Sequence, residues 1–257
     1  MPGYNPRTKS RPKDEMATPR TRLRLALLQV RNELVSLKQE QSCFIERCRV
    51  ARDQFDFINL VDNPEIRWAN VEHAHAVLIG GAGAFSVTRE HPFTAPLREV
   101  IQRLIDDDRP VFGACWGHQF LADLGGGTVI EDKENSEVGT FPIRLTPAGI
   151  ADPLMAEFPE RFHVQLGHND RVSELGPGWV ELARSPVCPN QLIRLDGKPV
   201  YGTQFHSEMD EERLRERILV FLKDYVADEE AYQKILWSLR PSIEADRLLE
   251  LFLERYA

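Results

Sequence analysis

No apolar run in the 257 residues approaches the ~20 needed to cross a bilayer as a helix, so no membrane span is expected. No apolar run precedes Leu23, so no secretory leader is expected either. Cysteine is scarce: the four residues (Cys43, Cys48, Cys115, Cys188) form no CxxC pair and no close-spaced even framework. That argues against a disulfide scaffold and against a structural zinc site. His73, His75 and His91 have no metal-ligand partner at a suitable spacing. A cytoplasmic globular protein is the expectation that these absences leave. Positive charge is short everywhere except at the start. Residues 1–22 carry a net +4 and the rest a net −12, which disfavours a nucleic-acid footprint. The basic segment has almost nothing apolar and reads as a disordered tail.

What is present begins at Leu23. The run 23–30 suits a buried strand, and 34–54 a helix of imperfect phase on which Cys43, Phe44 and Cys48 recur. Strands follow at 55–61, 76–79 and 110–113, with a helix at 96–107 whose face carries Leu97, Val100, Ile101, Leu104 and Ile105. Strands alternating with helices indicate an α/β fold with a mostly parallel central sheet flanked by helices. After Gly125-Gly126-Gly127, short strand candidates at 140–145, 162–165, 180–183 and 191–195 suggest a small antiparallel insertion or edge. A core strand at 200–205 and three helices (210–226, 229–239, and from Pro241 to about Tyr256) complete the chain. The expected division is a basic tail at 1–22, a catalytic domain at 23–226 and a C-terminal helical extension at 227–257. The extension is expected to pack against the core, with docking to a partner as the other reading.

Chemistry concentrates in three segments. In Gly113-Ala114-Cys115-Trp116-Gly117 a strand is followed by a helix, in the cysteine form of the nucleophile elbow. The turn lifts Cys115 over the sheet edge beside a helix N-terminus, where a negatively charged sulfur is favoured. The N–H of Trp116 is placed to hold an oxyanion. The second segment, Gly202-Thr203-Gln204-Phe205-His206-Ser207-Glu208, ends a strand with a histidine and a carboxylate two residues apart. A cysteine nucleophile, a histidine acid–base and a carboxylate orienting it follow triad logic, provided the strand breaks so that Glu208 reaches the ring. Third, the loop Gly80-Gly81-Ala82-Gly83 follows a strand without forming a dinucleotide fingerprint. It could supply the second oxyanion donor at Gly81.

On these segments, with Gly167-His168-Asn169-Asp170-Arg171-Val172, the chain resembles the class I, triad-type glutamine amidotransferases. It is similar to the glutaminase part of GMP synthase, over roughly 23–226. The resemblance implies a flavodoxin-like sheet, with Cys115 as nucleophile, His206 as general base and acid, and Glu208 as its partner. It also implies an oxyanion hole from the N–H groups of Gly81 and Trp116, and substrate contacts at Gly80, Gln119, Asn169 and Asp170. His118 is implied to be structural. Ser207 stands where the family pattern commonly has proline, and Trp116 where other side chains are frequent.

The implied reaction is hydrolysis of the glutamine side-chain amide through a γ-glutamyl thioester. It needs no cofactor and no metal. Neither a phosphate loop nor a Ser-Gly-Gly-x-Asp-Ser segment is present. An ammonia-accepting synthetase would therefore be a separate polypeptide, or the protein works alone on γ-glutamyl peptides or conjugates. A non-catalytic binding subunit on the same fold is the third reading. The motifs leave the oligomeric state open.

Overall fold

The computed structural model describes residues 18–221 and 228–257. Most of the basic tail and the end of the 210–226 helix lie outside the described residues. Five parallel strands form the heart of a nine-stranded sheet: β1 (Leu25–Val30), β2 (Phe55–Asn59), β3 (Ala76–Ala82), β4 (Val111–Ala114) and β11 (Val200–Thr203), in the order β2-β1-β3-β4-β11. Every residue of β1 is buried, because helices cover both faces of a parallel sheet. One layer comprises α1 (Leu34–Cys48) and the C-terminal helix α7 (Leu248–Tyr256); the other comprises α2 (Thr94–Asp106) and α3 (Trp116–Leu124).

The antiparallel strands form an edge of this sheet, the second of the two placements the sequence suggested. They continue it beyond β11 as β10 (Leu192–Leu195), β9 (Trp179–Arg184), β6 (Glu137–Leu145) and β7 (Arg161–His168). A separate two-stranded sheet pairs β5 (Thr128–Glu131) with β8 (Asp170–Glu174), neither of which the sequence had suggested. Both are short and half exposed, so they carry no clean alternation. The remaining helices are α4 (Pro147–Ile150), α5 (Glu211–Val220) and α6 (Glu229–Ser238).

Several sequence-drawn boundaries move, among them the helix expected from Pro241, which begins at Leu248, and the strand expected at 162–165, which spans Arg161–His168. Helix α1 ends at Cys48 rather than running to Gln54, because Arg49 adopts a left-handed conformation with φ 50° and closes it. Strand β11 ends at Thr203, two residues early, where the chain bends toward the site. The C-terminal helix packs as expected: Leu248, Leu249, Phe252 and Leu253 are buried in the same cluster as Leu25, Phe44 and Phe112. Arg20 ties the start of the described chain to this helix through Glu250 and Glu254. No described helix is long and apolar enough to cross a membrane.

Candidate active site

Only one residue separates β4 from α3, and it is Cys115. Its backbone sits at φ 51°, ψ −100°, in a region that L-residues rarely adopt. The flanking glycines make this turn possible. A Cβ on Gly113 would lie 2.5 Å from the Gly117 carbonyl, and one on Gly117 would lie 2.4 Å from the Ile79 carbonyl oxygen. The Cys115 N–H donates to the Thr203 carbonyl at 2.7 Å, locking the elbow to the neighbouring strand. Trp116 begins α3, so helix geometry gives its N–H no intrahelical acceptor.

Strand β11 lies beside β4 with Thr203 opposite Ala114, which sets the second segment next to the elbow. Beyond Thr203 the backbone turns, and the His206 N–H donates to the Gln165 carbonyl at 2.9 Å. The turn brings Glu208 Oε1 within 2.7 Å of His206 Nδ1, with both side chains buried. Burial alone pushes the imidazolium down, but the Glu208 carboxylate and the Cys115 sulfur carry it up to about 9. Burial pushes the Glu208 carboxyl up, and the imidazolium beside it outweighs that and holds it below the usual carboxylate range. The structure thus brings Cys115, His206 and Glu208 together. His118 points elsewhere: it is fully buried, and desolvation lowers it to about 3. A Cβ on Gly202 would meet its Nδ1 at 2.9 Å.

The glycine loop departs from expectation. Gly80 is absent from the cavity lining and lies against a carboxylate instead. A Cβ there would fall 2.7 Å from Glu40 Cδ and Oε1. Gly81 does face the site, since its Cβ position is 3.2 Å from His206 Cε1 and 3.6 Å from Cys115 Cβ. Its N–H, however, donates to Glu40 Oε1 at 3.1 Å. Glu40 also accepts from Arg31 at 2.7 Å and from Gln29 at 2.9 Å, all three side chains being buried.

The cavity over Cys115 measures about 390 Å³, within the range for small-molecule sites. Trp116, Gln119, Asn169 and Asp170 line it, as do Phe85, Arg89 and Lys133. Gln119 Nε2 donates to the Asp170 carbonyl at 2.7 Å and to Gln204 Oε1 at 3.1 Å. That carbonyl also accepts from His168 Nδ1, so both of its lone pairs are engaged within the protein. The Asn169 carbonyl accepts from the Asp132 N–H.

Residues of this neighbourhood missed as functional groups include Arg31, Glu40 and Gln204, and Arg89 in the cavity lining. Gln204 Nε2 lies 3.8 Å from the Cys115 sulfur. The imperfect phase of α1 was the available signal for Glu40. The buried positions 36, 40, 43, 44 and 48 form a regular stripe only when Glu40 is counted.

The family profile for glutamine amidotransferase class-I matches residues 45–222. The chain belongs to the class I glutamine amidotransferase family. A GMP synthase (glutamine-hydrolysing) of Shewanella frigidimarina is 31% identical over 153 residues, 58% of this chain and 28% of that protein. One subunit of the glutamine-hydrolysing GMP synthase of Pyrococcus abyssi is 31% identical over 116 residues, 45% of this chain and 60% of that one. The glutamine amidotransferase-like protein YfeJ of Salmonella typhimurium is 36% identical over 135 residues, 51% of this chain and 55% of that one. The matches thus span less than two thirds of each of these relatives. A glutamine amidotransferase structure from Thermotoga maritima superposes with a TM-score of 0.72 at 22% identity, covering 91% of this chain and 97% of that one. Another from Methylobacillus flagellatus gives 0.71 at 19%, covering 91% and 93%. At such identities the likeness shows the fold: α/β, with a mostly parallel sheet between helices.

Proposed function

We propose that this protein hydrolyses the side-chain amide of glutamine and delivers the ammonia to an acceptor enzyme on a separate chain. The observation that carries this reading is the cysteine held at φ 51° on its elbow, beside a histidine tied to a buried glutamate at 2.7 Å. In this mechanism the Cys115 sulfur attacks the carboxamide carbon while His206 holds the proton. The tetrahedral oxyanion is held by the N–H of Trp116 and by that of Gly81, which must then leave Glu40. His206 protonates the departing ammonia, and a γ-glutamyl thioester remains. His206 then takes a proton from water, which attacks the thioester and releases glutamate. Gln119 positions the Asp170 backbone under the substrate's amino-acid end. Arg89 offers a cation at the rim for its carboxylate. The separate acceptor is supported by the Pyrococcus abyssi relative, which is named as one subunit of a GMP synthase.

The deciding experiment measures ammonia release from glutamine by the intact chain and by Cys115→Ala. Trapping by a glutamine-like electrophile is followed by mass spectrometry. Label on Cys115 and loss of activity in the variant are expected; an active Cys115→Ala protein sinks the proposal.

A second reading has its own support. Phe85, Arg89 and Lys133 line the cavity as well, so a larger γ-glutamyl conjugate has side chains to meet. Hydrolysis of γ-glutamyl dipeptides in preference to glutamine would favour that hydrolase.

A further inference from the structure

Beside the cavity, three buried side chains converge that the proposed reaction does not use. Glu137 opens β6, His168 closes β7 directly opposite it in the ladder, and Cys188 lies between β9 and β10. They are 1%, 3% and 1% exposed, and one ligand atom from each lies within 4.8 Å of the others. We propose that Glu137, His168 and Cys188 bind a divalent transition metal ion of the zinc class.

The hydrogen bonds around the cluster point to a cation. His168 Nδ1 faces the Asp170 carbonyl at 3.1 Å, and a carbonyl only accepts, so Nδ1 carries a proton and donates it. In the neutral ring, Nε2 then turns a lone pair toward Glu137 Oε2, itself an acceptor, 3.3 Å away. Two facing acceptors need a proton or a metal between them. Glu137 Oε2 receives one bond from Gln191 Nε2 at 2.7 Å. Its Oε1 is buried with no hydrogen-bond partner among the described residues, and so is Gln191 Oε1. A buried carboxylate left in that condition is costly, and an ion removes the cost.

The spacing agrees. Nitrogen and oxygen ligands at about 2.0–2.1 Å from zinc, separated by a tetrahedral angle, lie about 3.3 Å apart. That is the distance between His168 Nε2 and Glu137 Oε2. Thiolate, imidazole and carboxylate together suit zinc and its cobalt surrogate rather than magnesium or calcium. The Asp170 carbonyl on Nδ1 is the outer partner that metal-bound histidines characteristically have. On binding, the Cys188 S–H bond breaks, a sulfur–metal bond forms and one proton leaves for solvent. The thiol then gives up its present bond to the Pro189 carbonyl at 3.4 Å. Burial, with Glu137 adding to it, pushes this thiol up to about 12, so in the free site the metal displaces a proton rather than meeting a thiolate. The ligands are far apart in sequence; strand register pairs Glu137 with His168 and the Ser185–Cys188 turn brings in the cysteine, which is why spacing alone indicated no zinc site. Through the Asp170 carbonyl, shared by His168 and Gln119, the ion would steady the backbone beneath the substrate.

Cys115 and His206 could also take up metal, so the test uses the full chain carrying Cys115→Ala, stripped of metal and titrated with cobalt(II). One equivalent should bind, with tetrahedral-intensity visible bands and a thiolate-to-cobalt charge-transfer band, and zinc should displace it. Adding Cys188→Ser should abolish the charge-transfer band. Adding Glu137→Gln should retain that band with affinity at least about 10-fold weaker. Circular dichroism checks folding. Should Cys188→Ser not fold, zinc X-ray absorption on the Cys115→Ala protein must count one sulfur ligand. Failure of folded Cys115→Ala protein to bind cobalt, a charge-transfer band that survives Cys188→Ser, or zinc without a sulfur neighbour would each overturn the site. The bridge to Glu137 would then be a proton on Nε2. Binding is read without turnover, so the outcome is independent of the reaction assigned to Cys115.

Discussion

The backbone N–H of Gly81 donates to Oε1 of Glu40 at 3.1 Å, and the same oxygen accepts from Arg31. A fully buried ion pair thus holds the strand end that faces Cys115 and His206. Removing one member of a buried pair is far more damaging than the net worth of the pair, about 3–5 kcal/mol. Glu40→Ala takes the acceptor from Arg31, Gln29 and Gly81 together, and its unfolding midpoint in denaturant should fall accordingly. Glu40→Gln, which keeps an acceptor oxygen, should lose less. Equal losses in the two variants would mean that packing rather than charge holds this corner.

Gly81→Ala tests the close approach itself. The added methyl would sit 3.0 Å from Arg31 Nη2, 3.2 Å from His206 Cε1 and 3.6 Å from Cys115 Cβ, so it crowds the catalytic pair and the ion pair behind it. Glutaminase activity should fall about 10²–10³-fold, the scale of losing an oxyanion donor, while far-ultraviolet circular dichroism stays unchanged. Wild-type rates in this variant would remove Gly81 from the reaction.

Backbone strain at Cys115 gives a stability prediction independent of chemistry. Glycine tolerates φ 51° and alanine does not, so Cys115→Gly should be more stable than Cys115→Ala by about 1 kcal/mol. Both should be inactive. The midpoint of thermal unfolding decides the order.

The His206–Glu208 pair sets a pH window. The histidine is raised from 6.5 to about 9, so its stabilisation is complete below 6.5 and is lost as pH climbs through 9. The carboxyl is lowered from 4.5, so its stabilisation is present above 4.5 and is lost as pH drops through the folded value. Glu208→Gln should therefore lower Tm most between about pH 5 and 7, with the gap from wild type closing above pH 9. Its kcat should drop about 10⁴-fold, as when the orienting carboxylate of a triad is lost. A Tm gap that is flat from pH 5 to 10 would contradict the pairing.

Phe252 is fully buried, with ring contacts to Phe112 on the nucleophile strand and Tyr201 on the histidine strand. Phe252→Ala should cost about 3–5 kcal/mol. Truncation after Val226 should leave a protein that does not fold cooperatively, checked by the loss of a sharp thermal transition. A soluble, active truncated chain would show that the helix is dispensable.

The parallel half of the fold was legible in the sequence because buried strands read as unbroken apolar runs and α2 repeats its face cleanly. The elbow was legible because only glycine fits at 113 and 117, so its geometry is written into residue types. The pair β5 and β8 was not: half-exposed strands of four and five residues carry no period. Gly80 was read as a substrate contact because a glycine's neighbour is invisible in sequence, and here the neighbour is a glutamate from α1. Cys188, flanked in sequence by Val187 and Pro189, is 1% exposed because the turn Ser185–Cys188 folds inward on its own hydrogen bonds. Arg31 and Glu40 stayed hidden because a charge on a core face looks like a lapse of phase until its partner is seen.

The two chemical segments grow from the tips of adjacent strands, with Thr203 in register with Ala114. Their mutual position is therefore indexed by a ladder of backbone hydrogen bonds, which cannot slip by one residue without turning every side chain of β11 to the opposite face. Cavity walls at Phe85, Arg89 and Lys133 belong to segments outside that ladder. Reshaping them to accept another leaving group changes the tenant and not the foundations, which makes the rim the natural target for redesigning selectivity in this protein.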